Sequence, residues 1–237
     1  MDVLNELLQT RAPTAQRPLM GLTVLLVEDS RFASEALRLL CQRSGARIRR
    51  ADSLEHAKRH LAVYRPSVLM VDVGLPDGSG LALIAAVARA TPRIDVILGI
   101  SGDTLAQESV IAAGADGFLE KPIASLARFQ AAILDHLPDD QRPPGPRLVS
   151  DETVNPDLVA YHDDLIHIAK VLAKNAAGDI AYITQFLDGV ARSARDDELA
   201  HAVHDLARHR KTGANLSSCI ARLLQIVQNR IAASAPI

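Results

Sequence analysis

The sequence predicts an α/β protein, a doubly wound, five-stranded parallel sheet followed by a smaller all-α helical bundle. Three observations carry this reading. From residue 23 to residue 137, short apolar β-branched runs alternate with longer segments of helical period, as in a parallel sheet covered by helices on both faces. Residues 138–157 interrupt the alternation with five prolines and a cluster of polar residues. Every segment beyond them has helical spacing.

Strands are expected at 23–27, 47–51, 68–72, 96–101 and 117–119, with helices near 32–44, 53–64, 81–90, 104–113 and 125–137. After the break, helices are expected at 158–174, 179–193, 196–210 and 214–232. Ile180, Ile183, Leu187 and Val190 mark one buried stripe, and Leu216, Ile220, Leu223 and Val227 mark another. A small antiparallel bundle buries such stripes. The organisation read from this is an N-terminal extension (1–20), an α/β domain (21–138), a linker (139–156) and a helical domain (157–237). Val3, Leu4, Leu7 and Leu8 are spaced for one face of a helix in the extension.

Composition narrows the function classes. No apolar run approaches a bilayer-spanning length, and the first residues lack the order of a secretory signal, so a cytoplasmic location is expected, without membrane insertion. Cys41 and Cys219 have no neighbouring partner of CxxC type, so neither a disulfide framework nor a zinc site is indicated. Residues 1–150 hold 17 basic and 17 acidic side chains, and residues 151–237 hold 9 and 11. Neither half has the basic excess that a nucleic-acid footprint requires, so nucleic acid is not expected as a partner.

In doubly wound folds, chemistry gathers beyond the carboxyl ends of the strands. There the sequence places Glu28 and Asp29 after the first strand, Asp72 at the end of the third, Ser101 at the end of the fourth, and Lys121–Pro122 after the fifth. Clustered carboxylates repel one another unless a hard cation neutralises them, and Mg²⁺ suits oxygen ligands shared with a phosphate. Asp72 can then act as a nucleophile toward a phosphoryl donor, with Lys121 and Ser101 binding the oxygens of the transferred group. A lone Asp at a strand end is ordinarily a turn or cap residue; the ordered combination argues for chemistry. Asp77, in PDGSG, reads as turn chemistry, and Asp103 as a helix N-cap.

Over about residues 22–137 these residues resemble the receiver domain of bacterial response regulators: the acidic pair, the Asp of DVGLPDGSG, Ser101 and the Lys-Pro step of GADGFLEKP. The resemblance implies a CheY-like, flavodoxin-like fold. It also implies phosphorylation of Asp72 by a sensor histidine kinase or phosphotransfer protein, and Mg²⁺ held by Asp29, Asp72 and the Gly74 carbonyl, with Glu28 as a secondary ligand. Ser101 and Phe118 match the family's coupled switch pair. Phe118 stands where many relatives have Tyr, which leaves ring burial intact and removes a phenol hydroxyl.

For the helical domain three outputs are weighed. Protein interaction or homodimerisation is favoured, and no enzymatic output is expected. A DNA-binding transcriptional regulator is the alternative, although the segment 214–232 carries only Arg222 and Arg230 as basic residues. The third is a phosphorelay intermediate resembling a histidine phosphotransfer bundle, with His201 or His204 as the phosphohistidine. Neither histidine is followed by the Lys-Gly step of that family, and both read as solvated surface residues.

Overall fold

The computed structural model describes residues 12–145, 149–175, 180–212 and 216–233. The expected N-terminal helix face at Val3–Leu8 lies outside the described residues. The chain divides into two compact units, one formed by the residues through Asp29 together with Ala36–Asn155, the other by Ser30–Glu35 and Pro156–Ile237.

The first unit is built from β1 (Thr23–Val27), α1 (Arg31–Ser44, of which the residues up to Glu35 count with the second unit), β2 (Arg47–Ala51), α2 (Leu54–Val63), β3 (Val68–Asp72), a ribbon of β4 (Gly74–Leu75) and β5 (Gly78–Ser79), α3 (Gly80–Ala88), β6 (Val96–Ser101), α4 (Ala106–Ala112), β7 (Gly117–Glu120) and α5 (Leu126–Leu134). Five strands form one parallel sheet in the order β2-β1-β3-β6-β7. Side chains alternate between its faces, as the pleat requires. Val24, Leu26, Met70 and Leu98 pack with Leu37, Leu40 and Cys41 of α1 and with Phe129 and Ile133 of α5. Leu25, Val27, Leu69, Val71 and Ile97 pack on the other face with Leu54, Ile84 and Val110 of α2, α3 and α4. Near-continuous apolar runs such as VLLV and VLMV are what such two-sided burial demands.

Local chemistry sets the helix boundaries. Ser53 caps α2, its Oγ accepting the His56 N–H at 3.3 Å. Asp77 does more than make a turn: from the β4–β5 ribbon its carboxylate accepts the N–H groups of Leu54 (2.9 Å) and Glu55 (3.0 Å), orphan donors of the same helix. Asp103 accepts the Leu105 N–H at 2.9 Å, which holds α4 back to Ala106.

Of the stretch expected as linker, Asp139–Gln141 forms a 3-10 turn, and residues 150–155 belong to the first unit. Val154 is only 2 % exposed and joins the α1/α5 face of the core.

The second unit contains α6 (Leu158–Asn175), α7 (Ile180–Ala194), α8 (Asp197–Thr212) and α9 (Leu216–Ala233). Each contributes one buried stripe to a shared core: Leu165 and Ile168, Ile183 and Leu187, Leu199 and Leu206, Leu223 and Val227. Phe32 joins this core, edge-on to Tyr161, and Asp164 accepts hydrogen bonds from Ser30 Oγ (2.7 Å) and the Arg31 and Phe32 amides (2.8 and 3.0 Å). At the α7–α8 corner Arg195 takes a positive φ of 56°, and Asp196 then ties three elements. Its carboxylate accepts from the Leu199 amide, Tyr161 Oη and both Nε and Nη2 of Arg230.

Candidate functional site

The strand order determines which residues meet. β3 lies between β1 and β6, so Asp72 emerges at the middle of the sheet's carboxyl edge, with Glu28 and Asp29 beyond β1 on one side and Ser101 of β6 on the other. β7 pairs next to β6, Ser101 opposite Glu120, which brings Lys121 to the same edge. The Lys121 amide donates to the Ser101 carbonyl at 2.8 Å, pinning the lysine backbone to the strand carrying Ser101.

Lys121 Nζ lies 2.6 Å from both Asp72 Oδ2 and Glu28 Oε2. All three side chains are withdrawn from solvent: Glu28 is 0 %, Asp72 5 % and Lys121 9 % exposed. Oxygens of Glu28, Asp29 and Asp72 come within 4.8 Å of one another. Burial opposes the charge on Lys121, but the Asp72 and Glu28 carboxylates outweigh it and hold the ammonium well above the ordinary lysine range. Full burial pushes the Glu28 carboxyl up to about 8, against the attraction of Lys121, with Asp72 and Asp29 adding repulsion. One ammonium thus faces three clustered carboxyl groups. That donor set, all oxygen and short of positive charge, fits a hard divalent cation.

Supporting contacts come from residues that motif reading does not single out. Arg50 at the end of β2 donates to the backbone carbonyls of Glu28 (3.4 Å) and Asp29 (3.0 Å), holding the turn that presents the acidic pair. Nothing in the RIRRA strand marks this role beforehand. Gly80, the last residue of DVGLPDGSG, is required by crowding: a Cβ there would strike the carbonyl oxygen of Asp72 and lie 2.9 Å from its carbonyl carbon and from Val71 Cγ1.

The remaining expected residues are placed as follows. The Gly74 amide donates to Asp72 Oδ1 at 3.2 Å. Ser101 is buried, and its Oγ accepts the Asp103 N–H at 3.1 Å. Phe118 is half-buried against the α2–α4 face of the core. His201 and His204 are exposed on α8, while Leu199, Val203 and Leu206 of the same helix face the core of the second unit.

Residues 24–133 match the response regulator receiver domain family. This segment, a little under half of the chain, is similar to receiver domains. The chain is 30 % identical over 116 residues to the KDP operon transcriptional regulatory protein KdpE of Escherichia coli (strain K12), covering 48 % of this chain and 52 % of that protein. It is 35 % identical over 119 residues to the virulence transcriptional regulatory protein PhoP of Shigella flexneri, covering 46 % and 51 %. The chain therefore spans about half the length of the curated relatives it matches. Among solved structures it is similar to the CheY-like receiver domain of a response regulator from Methylobacillus flagellatus (26 % identity, 47 % of this chain and 98 % of that one, TM-score 0.42). It is also similar to the receiver domain of sensor histidine kinase PA1611 from Pseudomonas aeruginosa PAO1, solved with a magnesium ion in its active site cleft (22 % identity, 49 % and 97 %, TM-score 0.44). The family match ends at residue 133, before the helices of the second unit. Because the relatives named here are transcriptional regulators, the expectation against nucleic acid, which rests on charge alone, gains no support from them. Among the described residues no helix is long and apolar enough to cross a membrane.

Proposed function

We propose that the protein is a cytoplasmic two-component response regulator that accepts a phosphoryl group on Asp72 from the phosphohistidine of a sensor histidine kinase or phosphotransfer protein. The observation that carries this reading is the buried Asp72 carboxylate, 2.6 Å from Lys121 Nζ and clustered with Glu28 and Asp29 at the sheet edge. An Asp72 oxygen attacks phosphorus, the P–O bond forms as the P–N bond to the donor imidazole breaks, and the imidazole leaves with the bonding electron pair. Lys121 follows the charge onto the phosphoryl oxygens, and the Ser101 hydroxyl turns to donate to one of them.

Mg²⁺ is the cofactor of this reading, held by Asp29, Asp72 and the Gly74 carbonyl with Glu28 as a secondary ligand; it supplies charge neutralisation for the transferred group. Ser101 and Phe118 form the switch that reports the phosphate to the surface of the receiver. The helical domain gives the output by protein interaction or homodimerisation, a reading supported by its near-neutral charge, its aliphatic stripes being buried in its own core.

The test is incubation with acetyl phosphate and Mg²⁺ followed by intact mass. Wild type gains one phosphoryl group and Asp72→Asn gains none. The outputs are separated by light scattering with and without beryllofluoride, and by binding to DNA across a salt series. A change in assembly state supports the favoured output; salt-dependent, sequence-selective retention supports transcriptional control instead. Acid-labile phosphate lost in His201→Gln or His204→Gln would establish the relay.

A further inference from the structure

Residues 150–155 form a strap across the loop that leaves the phosphorylation site. The Leu126 amide donates to the Glu152 carbonyl and the Val154 amide to the Ala124 carbonyl, both at 2.9 Å, on either side of an antiparallel bridge between Ser125 and Thr153. Val154 is buried among Leu126, Phe129 and the α1/α5 face, and Glu152 pairs with Arg43 of α1. The residues that grip the strap, Ala124 to Leu126, begin three positions after Lys121.

We propose that this strap is a phosphorylation-responsive catch: docked while Lys121 pairs with Asp72 and Glu28, and released when Asp72 carries a phosphoryl group. The inference rests on Asp72 being the phosphoacceptor. In the docked state Lys121 Nζ is anchored 2.6 Å from both carboxylates, and its amide is tied to Ser101, so the loop that follows is held at its root. A phosphoryl group moves the negative charge outward by the length of its new bonds and recruits both the lysine and the Ser101 hydroxyl. The root shifts, and the two backbone bonds three to five residues downstream lose their alignment. Such short, surface-spanning pairings lie at the low-stability end of a fold and open readily.

The experiment is amide hydrogen exchange on the full chain, reading Leu126 and Val154, with and without beryllofluoride and Mg²⁺, while ¹⁹F NMR reports bound fluoride. Exchange at both amides is expected to quicken at least about tenfold on beryllofluoride binding in wild type and to stay unchanged in Asp72→Asn. Val154→Ser, which weakens the strap's buried anchor, should quicken exchange at Leu126 without beryllofluoride while still binding it. Bound beryllofluoride with unchanged or slower exchange overturns the catch and leaves the phosphoacceptor reading intact. No bound beryllofluoride in wild type removes that reading and the catch with it.

Discussion

Replacing Gly80 by Ala sets one methyl group against the backbone of Asp72. The new Cβ would fall well inside the van der Waals radius of the Asp72 carbonyl oxygen and 2.9 Å from both the Asp72 carbonyl carbon and Val71 Cγ1. The nearest atoms are the Asp72 carbonyl and a methyl of the fully buried Val71, neither the end of a flexible side chain, so the start of α3 and the end of β3 must separate by about 1 Å, a strain of about 1–3 kcal/mol on overpacking precedents. The Gly80 amide, bonded at 2.9 Å to the Val73 carbonyl, is pulled along. Moving the Asp72 backbone also carries its carboxylate away from Lys121, and misplacement by about 1 Å at a reacting group lowers rates by about 100-fold. The assays are urea denaturation and the rate of phosphoryl uptake from acetyl phosphate. Gly80→Ala is expected to lose about 1–3 kcal/mol and to be phosphorylated at least about tenfold more slowly. A variant with wild-type stability and wild-type uptake would refute the packing argument.

Other perturbations separate the site from its scaffold. Burial holds the Glu28 carboxyl at about 8, above its ordinary 4.5, so between those pH values the folded chain binds a proton that the unfolded chain has released. That contribution to stability is complete below about 4.5 and is lost as pH rises through about 8. Wild type should therefore lose on the order of a few kcal/mol relative to Glu28→Gln across that window in denaturation series; parallel curves would contradict it. Asp77→Ala should strip the Leu54 and Glu55 amides of their acceptor beside the Ser53 cap and remove about 0.5–2 kcal/mol of stability, with phosphoryl uptake unchanged, because these amides are its hydrogen-bond partners among the described residues. Asp196→Ala strips a helix cap, the Tyr161 hydroxyl and Arg230 of their shared acceptor, and should destabilise the second unit by about 2–4 kcal/mol by thermal denaturation.

The α/β architecture was legible because two-sided burial writes a strong pattern. VLLV and VLMV are apolar at every position, and along the three central strands the carboxyl and hydroxyl groups of the site appear where the strands end, at Glu28, Asp72 and Ser101. The strand edges and the gathering of charged groups followed from that pattern together with the topology. What stayed hidden are contacts made by ordinary residues at long sequence separation. Arg50 reaches from β2 to the Glu28 and Asp29 carbonyls just beyond the neighbouring β1, Asp77 accepts from the first amides of a helix some twenty residues earlier, and Val154 sits in a proline-rich stretch whose composition signals a linker. A single buried valine in a polar segment carries no periodicity, so nothing local distinguishes a docked strap from free chain. His201 and His204 show the converse limit, since exposure on a helix is equally the mark of a solvated residue and of a reactive one.

The measurement closest to the central claim is the intact mass of the chain after incubation with acetyl phosphate and Mg²⁺, beside that of Asp72→Asn and of Lys121→Ala. A single phosphoryl adduct on wild type, none on Asp72→Asn and slow or weak labelling of Lys121→Ala is the predicted result. Absence of an adduct on wild type, or equal labelling of Asp72→Asn, would contradict the assignment of Asp72 as the phosphoacceptor.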